Sequence, residues 1–271
     1  MNAALNKILE NLDEYFKDGR ALDALPYLTD ATQQYAAAYG SDLGYASLLG
    51  EIGGIHRSFG HLQESRVAFE EAVRIVRSIL GKAHPETATT LNNLAGLYRL
   101  TGEFEKSGRL FSEALKIYAD TLGQKDYLYA SALNNLALLR QDMGEMQEAV
   151  ELQKQALIIM RDIPDADIEY ATSLSNIAAP LRALGKTNEA EDTLKEALGI
   201  FKQKVGKNNM KYASALNNLA AHYTGSKQYD KAEALYLQAM DICKFNKAQN
   251  EYNKVESNLK AMRALNKGAY G

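Results

Sequence analysis

Laid over itself with a shift of 42 residues, the chain matches itself, and that internal period limits its possible folds more than any other feature. "LNNLA" stands at 91–95, 133–137 and 216–220, with "LSNIA" at 174–178 and "LGEIG" at 49–53. A second signature keeps the same register: Ala72, Ala114, Ala156, Ala197 and Ala239, spaced by 42, 42, 41 and 42 residues. Three residues after each alanine comes an isoleucine, from Ile75 to Ile242. Five units therefore share one pattern.

Two turn signals punctuate each unit. Gly60, Gly102, Gly144 and Gly185 follow the first leucine of their units by eleven residues, with Lys227 in that place in the last. Gly81, Gly123, the "IPDAD" around Pro164, and Gly206 separate one unit from the next. Between the turns the apolar residues have helical period: Leu91, Leu94, Ala95 and Tyr98, then Phe111, Ala114, Leu115 and Tyr118, each fall at i, i+3, i+4 and i+7. Each unit is thus a pair of helices joined by a glycine turn. One pair cannot bury its apolar faces alone, so the units are expected to stack into a solenoid.

The chain has 271 residues, is 46% apolar and 24% charged, and has four prolines, a composition that favours order. Its net charge of −3 gives no sign of nucleic acid or an anionic membrane as a partner. No long apolar run or signal-like N-terminus is present, which predicts a soluble, cytoplasmic protein. Cys243 is the only cysteine, so neither an internal disulfide nor a cysteine metal cluster can form.

The set Leu91, Leu94, Ala95, Tyr98, Gly102, Phe104, Phe111 and Ala114 resembles the tetratricopeptide repeat, with leucine where that family usually has a tryptophan. The 42-residue spacing, the "LNNLA" box and linkers such as "LGKAHPETATTLNNLAGLY" are similar to the repeats of kinesin light chain and its bacterial relatives. The resemblance implies an all-α, right-handed superhelical solenoid of antiparallel helix pairs. Five repeats are expected over 45–244, at about 45–86, 87–128, 129–169, 170–211 and 212–244. Residues 1–44 would form a degenerate pair, with Tyr27 in register with Phe69, and residues 245–271 a capping helix.

Let the turn glycine be position 15 of each first helix. At about 100° per residue, positions 0, 4, 7, 8 and 11 form a packing stripe, and positions 2, 5, 6, 9, 12 and 13 lie opposite. The resemblance implies that this second stripe lines a concave groove. It holds Asn92, Asn134 and Asn217 at position 5, and Asn93, Asn135, Asn176 and Asn218 at position 6. Asparagine is a poor helix former, at up to about 0.7 kcal/mol relative to alanine, so the repeated pairs need a compensating role. One role is an amide ladder that fixes the register between repeats. The other is capture of the main chain of an extended peptide, since an amide both donates and accepts. In the family, the position-6 asparagine commonly contacts bound peptide, which implies Asn93, Asn135, Asn176 and Asn218 before their neighbours.

Arg57, Arg99 and Arg182 share position 12 on the same stripe, and Arg140 stands beside Gln141 in the third unit. Such a strip favours carboxylates, unless acids of the wall such as Glu51, Asp142 or Glu103 absorb its charge. The resemblance to kinesin light chain also implies acidic, extended ligands. Tyr45, Tyr129, Tyr170 and Tyr212 at position 0 are expected to seal seams between repeats, and the Ser or Thr at position 2 either caps the helix or faces the groove. Pro180, at position 10, predicts a kink that frees the carbonyl of Asn176.

No motif here supports catalysis or a cofactor. "GKT" at 185–187 has Pro180 where a phosphate loop needs its first glycine, and "GEIGG" lies in a helix rather than after a strand. His56, His61, His84 and His222 make no i, i+3 or i+4 metal pair, and Cys243 sits on an apolar face as a core thiol. The expected function is a non-catalytic scaffold, with no cofactor and no metal, that binds an extended and acidic segment of another protein. The alternatives are a regulatory receptor for a small peptide or metabolite, and a homo-oligomeric or complex-bracing factor.

Overall fold

The computed structural model describes residues 3–17, 20 and 22–268. The remaining positions of the expected N-terminal pair and C-terminal cap lie outside the described residues. Those described form thirteen α-helices and no strand: α1 (Ala3–Lys17), α2 (Ala24–Tyr39), α3 (Leu43–Ser58), α4 (Leu62–Leu80), α5 (Pro85–Leu100), α6 (Phe104–Thr121), α7 (Tyr127–Asp142), α8 (Met146–Arg161), α9 (Asp167–Ala183), α10 (Thr187–Lys204), α11 (Met210–Gly225), α12 (Tyr229–Phe245) and α13 (Gln249–Gly268). Helices α3 to α12 make five successive pairs over 43–245, each first helix starting two or three residues before the expected start of its repeat. The chain groups into two compact units, Met1–Met143 and Gly144–Gly271. Within each, successive helices pack on one another as stacked pairs.

The turns follow from backbone chemistry. Gly60, Gly102, Gly144 and Gly185 have φ between 74° and 82°, a region where a side chain is disfavoured. Lys227 takes the same conformation with φ 57°, so the fifth turn keeps its geometry without glycine. Asp165 at φ 61° does the same in "IPDAD", and Lys247 at φ 55° leads into α13. First helices are capped three residues before position 0: the side chains of Asp42, His84, Asp126 and Asn209 accept from backbone N–H groups of their first turns. Position 2 takes no part in capping. The Thr89 hydroxyl donates to the Pro85 carbonyl and lies 2.8 Å from the Tyr118 hydroxyl.

Packing follows the repeat on the second helices, where Ala72, Ala114, Ala156, Ala197 and Ala239 are all buried. On the first helices, positions 4, 7 and 8 are buried in the second to fifth repeats, and positions 1 and 10 are buried in every repeat, which one amphipathic stripe does not predict. The reason is that a first helix is flanked by two second helices. Ile55 at position 10 joins the cluster of Leu5, Leu12 and Leu28 from the preceding pair, and Leu97 joins Phe69 and Val73 of α4. Position 0 is only partly buried at Tyr45, Tyr129 and Tyr170, though each packs at the edge of a core cluster, and is buried at Tyr212. In α2 Ala24 and Leu28 are fully buried, while Tyr27 is partly exposed and accepts from Asn11 Nδ2.

His222 places an imidazole in the position-10 slot. It is 1% exposed, and neither ring nitrogen has a hydrogen-bond partner among the described residues. Glu191 Oε2 lies 3.8 Å from its Nε2, too far to bond. Burial pushes its pKa below the usual 6.5, and Arg182 and Lys195 add to the drop, while Glu191 opposes it. The unfolded chain therefore binds the proton more readily, so stability falls as pH drops through 6.5 and the loss levels off below the folded-state pKa. His222→Leu is expected to raise stability by about 1–2 kcal/mol near pH 7 and by more at pH 5. Urea unfolding of both chains at the two pH values measures this. An equal gain at both would show that the imidazole does not sense the pH.

Candidate functional site

The expected site residues lie on first helices, as two walls: α3, α5 and α7 in the first unit, and α9 and α11 followed by α13 in the second. In the first, the Asn135 side-chain Nδ2 donates to Asn92 Oδ1 at 3.2 Å, joining position 6 of α7 to position 5 of α5. In the second, Asn258 Nδ2 of α13 donates to Asn217 Oδ1 at 2.9 Å, and Asn217 is buried. Each bond ties one of these helices to the next. Asn93, Asn176 and Asn218, all at position 6, are half-buried, and their amides form no hydrogen bond among the described residues. Asn134 also stands half-buried at position 5 of α7.

The position-12 arginines reach across to the next first helix. Arg57 of α3 donates from Nη1 to the Asn93 carbonyl at 3.3 Å and lies over the Phe69 ring, 5.4 Å from its centroid. Gly96 leaves it room: a Cβ there would stand 3.1 Å from Nη1. Burial, then the charge of Arg99, pulls the Arg57 pKa down from its usual value. No carboxylate pairs with Arg57 among the described residues. Arg99 is neutralised instead, by an ion pair of 2.5 Å with Asp142 on α7.

Of the other wall acids, Glu103 is occupied by Arg66 and Lys106, and its carboxyl is pulled down to about 2 by hydrogen bonds from Arg66, Lys106 and Thr101. Glu51 stands where later repeats have the position-6 asparagine. Burial and then Asp13 raise its pKa, so the first repeat offers an acid in place of an amide. In the second unit Arg182 is exposed, has no ion pair among the described residues, and lies against Gly225 of α11, with Cδ 3.7 Å from where a Cβ would stand. Arg140 is half-buried beside the Met143 sulfur.

Pro180 is buried, and α9 runs unbroken through it from Asp167 to Ala183. Cys243 is a buried free thiol whose pKa is raised by burial, then by Glu251, as suits a core residue. The histidines are less scattered than their spacing suggests. His56 and His61, five apart in sequence, face each other across the turn between α3 and α4. A search for i, i+3 or i+4 pairs passes over them because the chain reverses between them.

The model of the tetratricopeptide repeat family matches residues 45–120, 128–203 and 169–244. Among solved structures, the chain is similar to a Podosopora anserina kinesin light chain of nearly identical TPR-like repeats. The identity is 24%, the match covers 73% of this chain and 94% of that one, and the TM-score is 0.56. It is similar to BtubC (BKLC) from P. vanneervenii at 25% identity, over 76% of this chain and 92% of that one, with a TM-score of 0.57. A Rap protein complexed with Competence and Sporulation Factor shares its fold over 96% of this chain and 86% of that one, with a TM-score of 0.67 at 16% identity. No curated protein sequence matches the chain.

Proposed function

Because the chain belongs to the tetratricopeptide repeat family, we propose that it is a protein interaction scaffold whose first-helix walls bind an extended, acidic segment of another protein. The observation that carries this reading is the free amide at position 6. Asn93 in the first unit, and Asn176 and Asn218 in the second, are half-buried without hydrogen-bond partners among the described residues. These amides are open to solvent and uncommitted within the chain, and a peptide main chain can supply each with both a donor and an acceptor. Arg57 and Arg182 stand on the same walls with their charge unneutralised, which selects carboxylates. Asn92 and Asn135 are bonded to each other yet only half-buried, so each keeps an edge on the wall, whereas Asn217 is buried against Asn258, and Arg99 is braced by Asp142. Asn134 stands on the wall beside them, and Arg140 at its edge, at position 11 next to Gln141.

The test is fluorescence anisotropy with a labelled acidic peptide library, its neutral counterpart and the full chain. Asn93→Ala with Asn135→Ala is expected to weaken the selected acidic peptides about tenfold, from two net hydrogen bonds of roughly 0.5–1.5 kcal/mol each. Their binding should also weaken as salt rises. Unchanged binding in that double variant, with loss on substituting the exposed face of the second helices, would show that the walls are not the site. A regulatory receptor is a second reading, which rests on the fold shared with the Rap protein that is complexed with Competence and Sporulation Factor. Under it, ligand occupancy would change how a separate protein binds, which the same assay with two partners detects.

A further inference from the structure

His56 lies in the last turn of α3, Gly60 reverses the chain with φ 80°, and His61 immediately precedes α4. The two Nδ1 atoms are 3.3 Å apart and share a hydrogen bond whose proton a metal ion would replace, and the ring centroids are 5.5 Å apart with the planes inclined by 54°. With metal–imidazole bonds of about 2.0–2.1 Å, that separation subtends roughly 105–110° at a shared ion, close to the tetrahedral angle. We propose that His56 and His61 form a two-imidazole site for a transition metal of the zinc class, bound through both Nδ1 atoms, with solvent completing the coordination.

Chemistry at the turn favours this occupant. Imidazole nitrogen suits zinc, copper and nickel, and only the neutral ring has a lone pair to give. The carboxylate of Glu64 in the first turn of α4 adds a negative field that favours a dication. His84 provides the contrast. Its Nδ1 accepts from the Glu86 N–H at 3.1 Å and is committed to capping α5. Among the described residues no third His, Cys, Asp or Glu joins the pair in a closed cage, so the site is open and exposed at His61. A bound ion would cross-link the end of α3 to the start of α4. This hairpin carries Arg57, the residue next to His56, so occupancy would stiffen one support of the first wall. The site does not depend on the peptide reading.

The test uses the full chain freed of metal by chelation and titrated with Co²⁺, whose visible bands shift when imidazole replaces water, followed by Zn²⁺ in competition. One equivalent is expected to bind with such a shift and to raise the melting temperature. His56→Ala and His61→Ala should each weaken binding at least tenfold, the double variant no further, and His84→Ala not at all. His61→Asn keeps a polar residue before α4 and should lose the metal as the alanine variant does, while circular dichroism checks that the helices persist. Wild-type affinity no greater than that of the double variant, or a loss that follows His84→Ala, would overturn the site.

Discussion

Phe69→Ala is expected to cost about 3–5 kcal/mol and to weaken binding of acidic peptides as well. Phe69 is 2% exposed and belongs to the cluster that joins α4 to α5 through Leu94, Leu97 and Tyr98. It leans into α3 at the one repeat where position 8 is glycine. A Cβ on Gly53 would stand 2.7 Å from two atoms of its ring, whereas the other four repeats have Ala95, Ala137, Ala178 and Ala220 there. Its ring also supports the Arg57 guanidinium. The pair therefore predicts a change of sign. In the native chain Gly53→Ala should destabilise by about 1–3 kcal/mol, because the ring must move. In the Phe69→Ala background the same change should stabilise by about 0.5–1 kcal/mol, because alanine is the better helix former and the clash is gone. Calorimetry on the four chains decides it. A Gly53→Ala effect of the same sign in both backgrounds would show that the glycine is not there to admit the ring.

Much of this was legible in the residues because it is local or repeats with the period. The glycine turns, the buried alanines of the second helices and the face that carries the asparagines all follow from the 42-residue register and the helical angle. Three kinds of feature were not. A left-handed Lys227 carries no sign in its side chain, and only its place in the register marks it as a turn. Pairings between repeats, such as Arg99 with Asp142 or Asn135 with Asn92, join residues 43 apart and depend on which rotamers cross to the next helix. Burial at position 10 needs a second packed neighbour, which a wheel drawn for one helix does not contain. His56 and His61 belong with these, since a reversal of the chain rather than a helical period brings them together.

Pro180→Leu joins these two levels and should raise stability by about 2–3 kcal/mol. The slot is position 10, where α5 and α7 bury Leu97 and Leu139 at 0% exposure, so leucine is a size the architecture already accepts. Proline there has no N–H to give the Asn176 carbonyl, and its ring presses on that carbonyl, at a cost of about 3 kcal/mol or more within a helix. Leucine restores the bond and keeps the slot filled. A raised urea midpoint with an unchanged slope is the expected result, and a lowered midpoint would mean that α9 has packed around the smaller ring. Peptide affinity then separates the two polar groups of Asn176. Its side chain is untouched by the change, whereas its carbonyl becomes committed to the helix. If the amide grips the ligand, as its unpartnered position suggests, the stabilised chain should bind acidic peptides as well as the native one. A stabilised chain that binds more weakly would transfer that contact to the carbonyl and make the proline part of the recognition surface.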